Sequence, residues 1–271
     1  MRRDPPALGA GQGEAVKLLV VNPNISESVT RLIGEEARRA ASPDTGLTLC
    51  TAPFGVAYIE TRFEAMIGAY AVAQVAGERA AGHDAVIVAA FGDPGVAALR
   101  EVLPVPVVGL TEAALASASL LGGRFAIIAI SRRIAAWYRE TVVNYGFGGR
   151  LAGIRTLDAP IRDIGGVREE HAQRLRELCR SAVETDGAEV LILAGAPLAG
   201  LARSIAAEIP VPLVDGVASA VRHAETLARL APARARAGSF APPPAKPHAG
   251  LPDPIRRLLE HPDRPLSQSE T

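Results

Sequence analysis

Asp84-Ala85-Val86-Ile87-Val88-Ala89-Ala90 runs into Phe91-Gly92-Asp93-Pro94-Gly95, then a short helical segment, then Pro104-Val105-Pro106-Val107-Val108-Gly109. The same order returns later in the chain. Glu189-Val190-Leu191-Ile192-Leu193-Ala194-Gly195 runs into Ala196-Pro197-Leu198-Ala199-Gly200, then a short helical segment, then Pro210-Val211-Pro212-Leu213-Val214-Asp215-Gly216. Each copy reads as an apolar strand, a Gly/Pro loop, a helix and a second apolar strand. Self-similarity on this scale implies two lobes built alike, whose equivalent loops can face each other across a cleft. Such a cleft is a natural place for a small ligand.

Working outward from the first copy, residues 16–21 form a continuous apolar run stopped by Asn22-Pro23-Asn24, the pattern of a strand buried on both faces. Ser26 or Ser28 suits the cap of a helix reaching about residue 41. Residues 47–51 read as a strand and 61–82 as an Ala-rich helix ending at Gly82. Around the second copy, 124–130 and 153–157 read as strands, and 132–145 and 168–185 as helices. Residues 216–230 form the last helix. Strands alternating with helices predict an α/β fold in which each lobe is a parallel β-sheet covered by helices. Lobe 1 takes residues 16–110 together with 216–230, and lobe 2 takes 111–215. Residues 1–15 are rich in Gly, Pro and Ala and are expected to be disordered. Residues 231–271 are rich in Pro, Ala and Arg and are expected to form a disordered tail, within which 251–260 suits one short helix.

The balance of 29 basic and 29 acidic residues leaves no electrostatic footprint for nucleic acid. No apolar run reaches membrane-spanning length, and the N-terminus lacks a hydrophobic signal core. The expected location is the cytoplasm. The expected partner is a small molecule, with assembly into a homo-oligomer left open. The two cysteines, Cys50 and Cys179, have no zinc-type spacing, the five histidines do not cluster, and no metal site is read.

In open parallel sheets, ligands sit outside the carboxyl ends of the strands. The candidate ligand groups are therefore Asn22 and Asn24 after the first strand, Phe91 and Gly92 in the first repeated loop, Thr111 at a helix start, and Ala196 and Asp215 in the second copy. The two asparagines suit a carboxylate or ureido group, and equally a turn. The Thr111 hydroxyl and nearby helix N–H groups suit an anion or polarised carbonyl, and equally a plain cap. Asp93 and Tyr58 are the candidate acid–base side chains. A carboxylate before Pro94 also serves as a turn or cap residue, and a tyrosine also serves packing.

At these loops the chain resembles the Asp/Glu/hydantoin racemase superfamily, most closely its hydantoin and allantoin racemase branch. The residues that carry the resemblance are Asn22-Pro23-Asn24, Pro53-Phe54-Gly55 with Tyr58-Ile59-Glu60, and Phe91-Gly92-Asp93-Pro94-Gly95. Val107-Val108-Gly109 with Glu112-Ala113, the loop 195–200, and Val214-Asp215-Gly216-Val217 complete the set. The resemblance implies two pseudo-symmetric lobes with the active site between them, racemisation or epimerisation of a small carbonyl-activated carbon acid such as a hydantoin, allantoin or amino acid, and no cofactor. In two-cysteine members one thiolate removes the α-proton while the other thiol delivers a proton to the opposite face. Those cysteines end the two repeated strands. The matching positions here are Ala90 and Gly195, neither of which transfers a proton. The alternatives are a cysteine-less decarboxylase, isomerase or lyase on the same scaffold, using Asp93 or Tyr58, or a non-catalytic small-molecule binder.

Overall fold

The computed structural model describes residues 15–159 and 163–260, so the N-terminal leader and the last residues of the expected tail lie outside the described residues. The first sheet contains β1 (Lys17–Asn22), β2 (Gly46–Thr51), β3 (Ala85–Val88) and β4 (Val107–Gly109). The second contains β5 (Phe125–Ala129), β6 (Leu151–Thr156), β7 (Val190–Leu193) and β8 (Leu213–Asp215). The first sheet runs β2-β1-β3-β4, the second β6-β5-β7-β8, and every pairing is parallel. The repeat in the sequence is thus a repeat of strand order.

The edge strands β4 and β8 begin two residues later than the apolar runs suggest. Pro104 with Pro106, and Pro210 with Pro212, lack the N–H groups a ladder needs. Their carbonyls are used instead: Pro106 accepts from Val86 N–H at 2.9 Å and Pro212 from Leu191 N–H at 3.0 Å.

The helices are α1 (Glu27–Ala40), α2 (Arg62–Arg79), α3 (Val96–Val102), α4 (Leu110–Ser119), α5 (Arg132–Asn144), α6 (Val167–Glu170), α7 (Ala172–Asp186), α8 (Leu201–Ile205), α9 (Gly216–Leu230) and α10 (Asp253–Glu260). Ser26 caps α1 by accepting from Val29 N–H. Thr61 and Glu64 close a reciprocal capping box on α2. Gly187, in the left-handed region, ends α7.

Alternate residues of β1 and β3 serve two cores. Leu18, Val20 and Ile87 pack inward with α1 and α9, whereas Leu19, Val21, Val86 and Val88 pack outward with α2 and α3. That two-sided burial is why these strands read as unbroken apolar runs. Helix α9 returns to pack on the first sheet and on α4, so the chain closes across both lobes. Among the described residues, no helix is long and apolar enough to cross a membrane.

The disordered tail expected over 231–271 is not what residues 253–260 show. They form α10, which lies on α2 with Pro254 over Gly77 and Leu258 buried in the outer core. Eight residues with one apolar edge suffice to dock where α2 presents small residues. Leu258→Ala is expected to cost about 2 kcal/mol, as for other buried leucines. Urea denaturation of the variant checks this, and an unchanged midpoint would show that α10 does not stabilise the core.

Candidate active site

The loops after β3 and β7 meet the opposite lobe through equivalent helices. The short turn Ala196–Leu198, after β7, packs on α1 of the first lobe. Phe91, after β3, stacks on Tyr138 of α5 in the second lobe, with ring centroids 4.7 Å apart. Gly92 has φ +98°, and a β-carbon there would overlap the Trp137 indole. The Phe91-Gly92 turn can therefore lie flat on α5 only with glycine at 92. Gly195, with φ +103°, lies two residues past β7, and a β-carbon built on it would stand 3.9 Å from the Tyr138 hydroxyl oxygen. Tyr138 thus packs on Phe91 of the first lobe with its hydroxyl oxygen near the Gly195 turn of its own lobe.

Asp93 lies two residues beyond Phe91, at φ +51°, a region that aspartate tolerates better than most side chains. Its carboxylate is buried and accepts three hydrogen bonds. Thr111 N–H donates to Oδ1 at 2.8 Å, Glu112 N–H to Oδ2 at 2.9 Å, and the Tyr145 hydroxyl to Oδ2 at 2.9 Å. The Thr111 hydroxyl in turn accepts from Gly92 N–H at 2.6 Å. The α4 N-terminus that the sequence offers to an anion is therefore filled from within, and Thr111 has its N–H and hydroxyl engaged inside the protein. Arg100 pairs with Glu112 and donates to the Val107 carbonyl, holding the start of α4 from its other side.

Burial pushes the Asp93 carboxyl up to about 6, against the opposing pull of its three donors. An acid whose folded pKa is raised binds its proton more tightly when folded. Its contribution to stability is complete below about pH 4 and is lost as pH rises to about 6. The stability of the native chain relative to Asp93→Asn should therefore fall between pH 4 and pH 6. Paired denaturation curves across that range check the slope; a rising difference would contradict the burial of the charge.

Asn22 and Asn24 sit at the end of β1. Asn22 Nδ2 donates to Asn24 Oδ1 and Thr30 Oγ1, each at 3.0 Å, and its Oδ1 accepts from Asn24 N–H. Asn24 Oδ1 also accepts from Ser26 N–H at 2.9 Å. Asn22 is thus used to build the turn. The Asn24 amide nitrogen makes no hydrogen bond among the described residues. Asp215 caps α9 through Val217 and Ala218 N–H and accepts from Gly200 N–H at 2.7 Å, tying the β7 loop to the last helix.

Tyr58 is half-buried on the wall of a 570 Å³ cavity between the loop after β2 and the ends of β5 and β6. Glu60, Ser131 and Asp158 share that wall. A second cavity, of 480 Å³, lies at the far edge of the first sheet between β4, α9 and the segment 232–240, away from the β3 and β7 loops.

Neither cysteine stands at a repeated strand end. Cys50 packs on the α2 side of the first sheet, and Cys179 lies inside α7. Burial raises both thiols, Cys179 to about 12, so neither is disposed to ionise.

The sequence reading passed over Tyr138 and Tyr145, taking them as ordinary members of a helix. A signal was present. In a chain with only 4% aromatic residues, Trp137, Tyr138, Tyr145 and Phe147 fall close together.

The sequence profile of the family described as Asp/Glu/hydantoin racemase matches residues 18–224. A hydantoin racemase from a Pseudomonas species is 33% identical over 236 residues, covering 87% of this chain and 95% of its own. The solved structure of an allantoin racemase from Klebsiella pneumoniae superposes with a TM-score of 0.83 at 33% identity, over 89% of this chain and 98% of its own. That of an allantoin racemase from Pseudomonas fluorescens gives 0.80 at 33% identity, over 87% and 100%.

Proposed function

Because the chain belongs to the Asp/Glu/hydantoin racemase family, we propose that it binds a hydantoin- or allantoin-type cyclic ureide between its lobes, without a cofactor, and addresses the carbon beside the ureide carbonyl. The observation that carries this reading is the meeting of the two lobes at the β3 and β7 loops, with Phe91 packed on Tyr138 of α5 and Ala196–Leu198 packed on α1. That meeting supports a ligand held with one repeated loop on each side of its reacting carbon. Asn24 offers its amide nitrogen to a ureide carbonyl, and Tyr58 borders the entrance.

Ala90 and Gly195 take the places of the two proton-transferring thiols. A carbon acid needs a base on one face and an acid on the other to be inverted. With neither present, the native chain is a poor two-base racemase. A second reading, a ureide binder without turnover, is favoured by the engagement of Asp93 as a helix cap, which leaves that carboxylate committed to Thr111, Glu112 and Tyr145.

The test is thermal stabilisation by unsubstituted hydantoin and by allantoin. A ligand at a hundred times its Kd stabilises the folded state by about 2.7 kcal/mol. A melting temperature unmoved by millimolar concentrations of both ureides would overturn the proposal.

A further inference from the structure

Tyr138 has a feature that helix packing does not explain. The residue is 4% exposed, and its ring is packed between Phe91 and Trp137, at centroid distances of 4.7 and 5.6 Å. Buried phenols ordinarily hydrogen-bond their hydroxyl to the protein. The Tyr138 hydroxyl has no hydrogen-bond partner among the described residues, yet its oxygen is not sealed from solvent. Tyr145, about two turns further along the same face of α5, spends its own hydroxyl on Asp93. The Tyr138 oxygen stands beside the end of β7, 3.9 Å from where a side chain on Gly195 would begin. Among the described residues other than its chain neighbours, Pro197 Cδ, at 3.5 Å, is the other heavy atom within 4 Å of that point. A glycine at 195 thus leaves free a side chain's space beside the Tyr138 hydroxyl oxygen.

Resting on the proposed ureide site, we propose that the Tyr138 hydroxyl meets the ligand on the Gly195 face of the cleft and donates a hydrogen bond to it, where a two-cysteine racemase would present a thiol. The ligand class is a neutral or enolised cyclic ureide, which presents carbonyl oxygens as acceptors. Burial and the nearby Asp93 carboxylate hold the phenol protonated, so it is a donor at neutral pH and not a base. No equivalent hydroxyl is placed at Ala90 by the contacts of the β3 loop. The site is consequently one-sided: a donor on one face, and a methyl group on the other. Phe91, packed at a tilt of 55° against the same ring, holds the Tyr138 ring in place.

The experiment is calorimetric titration of unsubstituted hydantoin into the native chain and into Tyr138→Phe. The variant keeps the ring and its packing, and its melting temperature reports whether the fold is preserved. The expected result is binding by the native chain and affinity about fivefold to tenfold lower in the variant, the loss of one buried hydrogen bond. Equal affinity would overturn the role of Tyr138 while leaving the ureide site intact. Absence of hydantoin binding by the native chain would remove the proposed function instead. A crystal structure of the native chain then decides the placement of Tyr138. Its hydroxyl bonded to a water or solute in the cleft beside Gly195 supports the assignment; its hydroxyl bonded to a protein atom overturns it.

Discussion

Replacing Ala90 and Gly195 together by cysteine raises the racemisation of 5-methylhydantoin by about a hundredfold to ten-thousandfold, the usual contribution of one positioned acid–base group, or by more if the two act together. The expectation follows from where the two positions lie. Ala90 lies two residues past β3, just before Phe91, Gly195 lies two residues past β7, and Tyr138 packs on Phe91 with its hydroxyl oxygen near the Gly195 turn. A thiol at one position alone can exchange the proton on one face but cannot invert the carbon. The single variants should therefore show deuterium uptake without comparable loss of optical activity. The two substitutions differ in their structural cost. Ala90 has no unusual backbone conformation. Gly195 has φ +103° and ψ 143°, a region that side chains rarely occupy, although a β-carbon has space there. Gly195→Cys should cost about 1–3 kcal/mol of stability through backbone strain. The double variant should thus melt lower and turn over faster. No gain in exchange or racemisation from a folded double variant would show that the two strand ends do not flank the reacting carbon.

Asp93→Ala has the largest expected effect on stability, about 3 kcal/mol. The carboxylate satisfies two N–H groups at the start of α4 and the Tyr145 hydroxyl, and deleting it leaves these donors without their partner. Loss of a helix cap costs about 1 kcal/mol, and a donor left unsatisfied in a buried place costs about 1–3 kcal/mol. Relief of the buried charge offsets part of this at neutral pH, so the loss is greater at pH 5 than at pH 7. Asp93→Asn should fall between the native chain and Asp93→Ala. Its Oδ1 can still accept from Thr111, whereas its Nδ2 faces two donors. Urea denaturation of the three proteins at both pH values checks the order. A change below about 0.5 kcal/mol for Asp93→Ala would show that the cap and the link between lobes are dispensable.

The fold was legible because its strands are buried on both faces. Leu18 to Val21 and Val86 to Val88 alternate between two cores, so each strand appears in the sequence as an unbroken apolar run. The Pro-Val-Pro segments marked the edge strands, and only their starting residues shifted. The short helix at 253–260 was legible within the tail, but its docking was not: average composition over a Pro-rich segment does not reveal that Leu258 packs in the outer core beside α2. The site was legible in its loops but not in its connections. Asn22 and Thr111 stand where the sequence places them, but their polar groups are turned inward to build a turn and to anchor a helix start. A carboxylate beside a proline looks the same in sequence whether it faces a ligand or caps a helix 18 residues away, as Asp93 does. Tyr138 belongs to an ordinary helical pattern, and only the folding of α5 beside the β7 loop within the second lobe sets its hydroxyl near Gly195.

The measurement that bears most directly on the account follows C5 of optically pure 5-methylhydantoin in deuterium oxide with the native chain, at a concentration shown by calorimetry to saturate it. Deuterium content and enantiomeric composition are read together, against the rate without protein. The proposal that Ala90 and Gly195 occupy the two thiol positions predicts saturable binding with no racemisation above that background. Rapid inversion by the native chain would contradict it and would require an acid–base pair that these two positions do not supply.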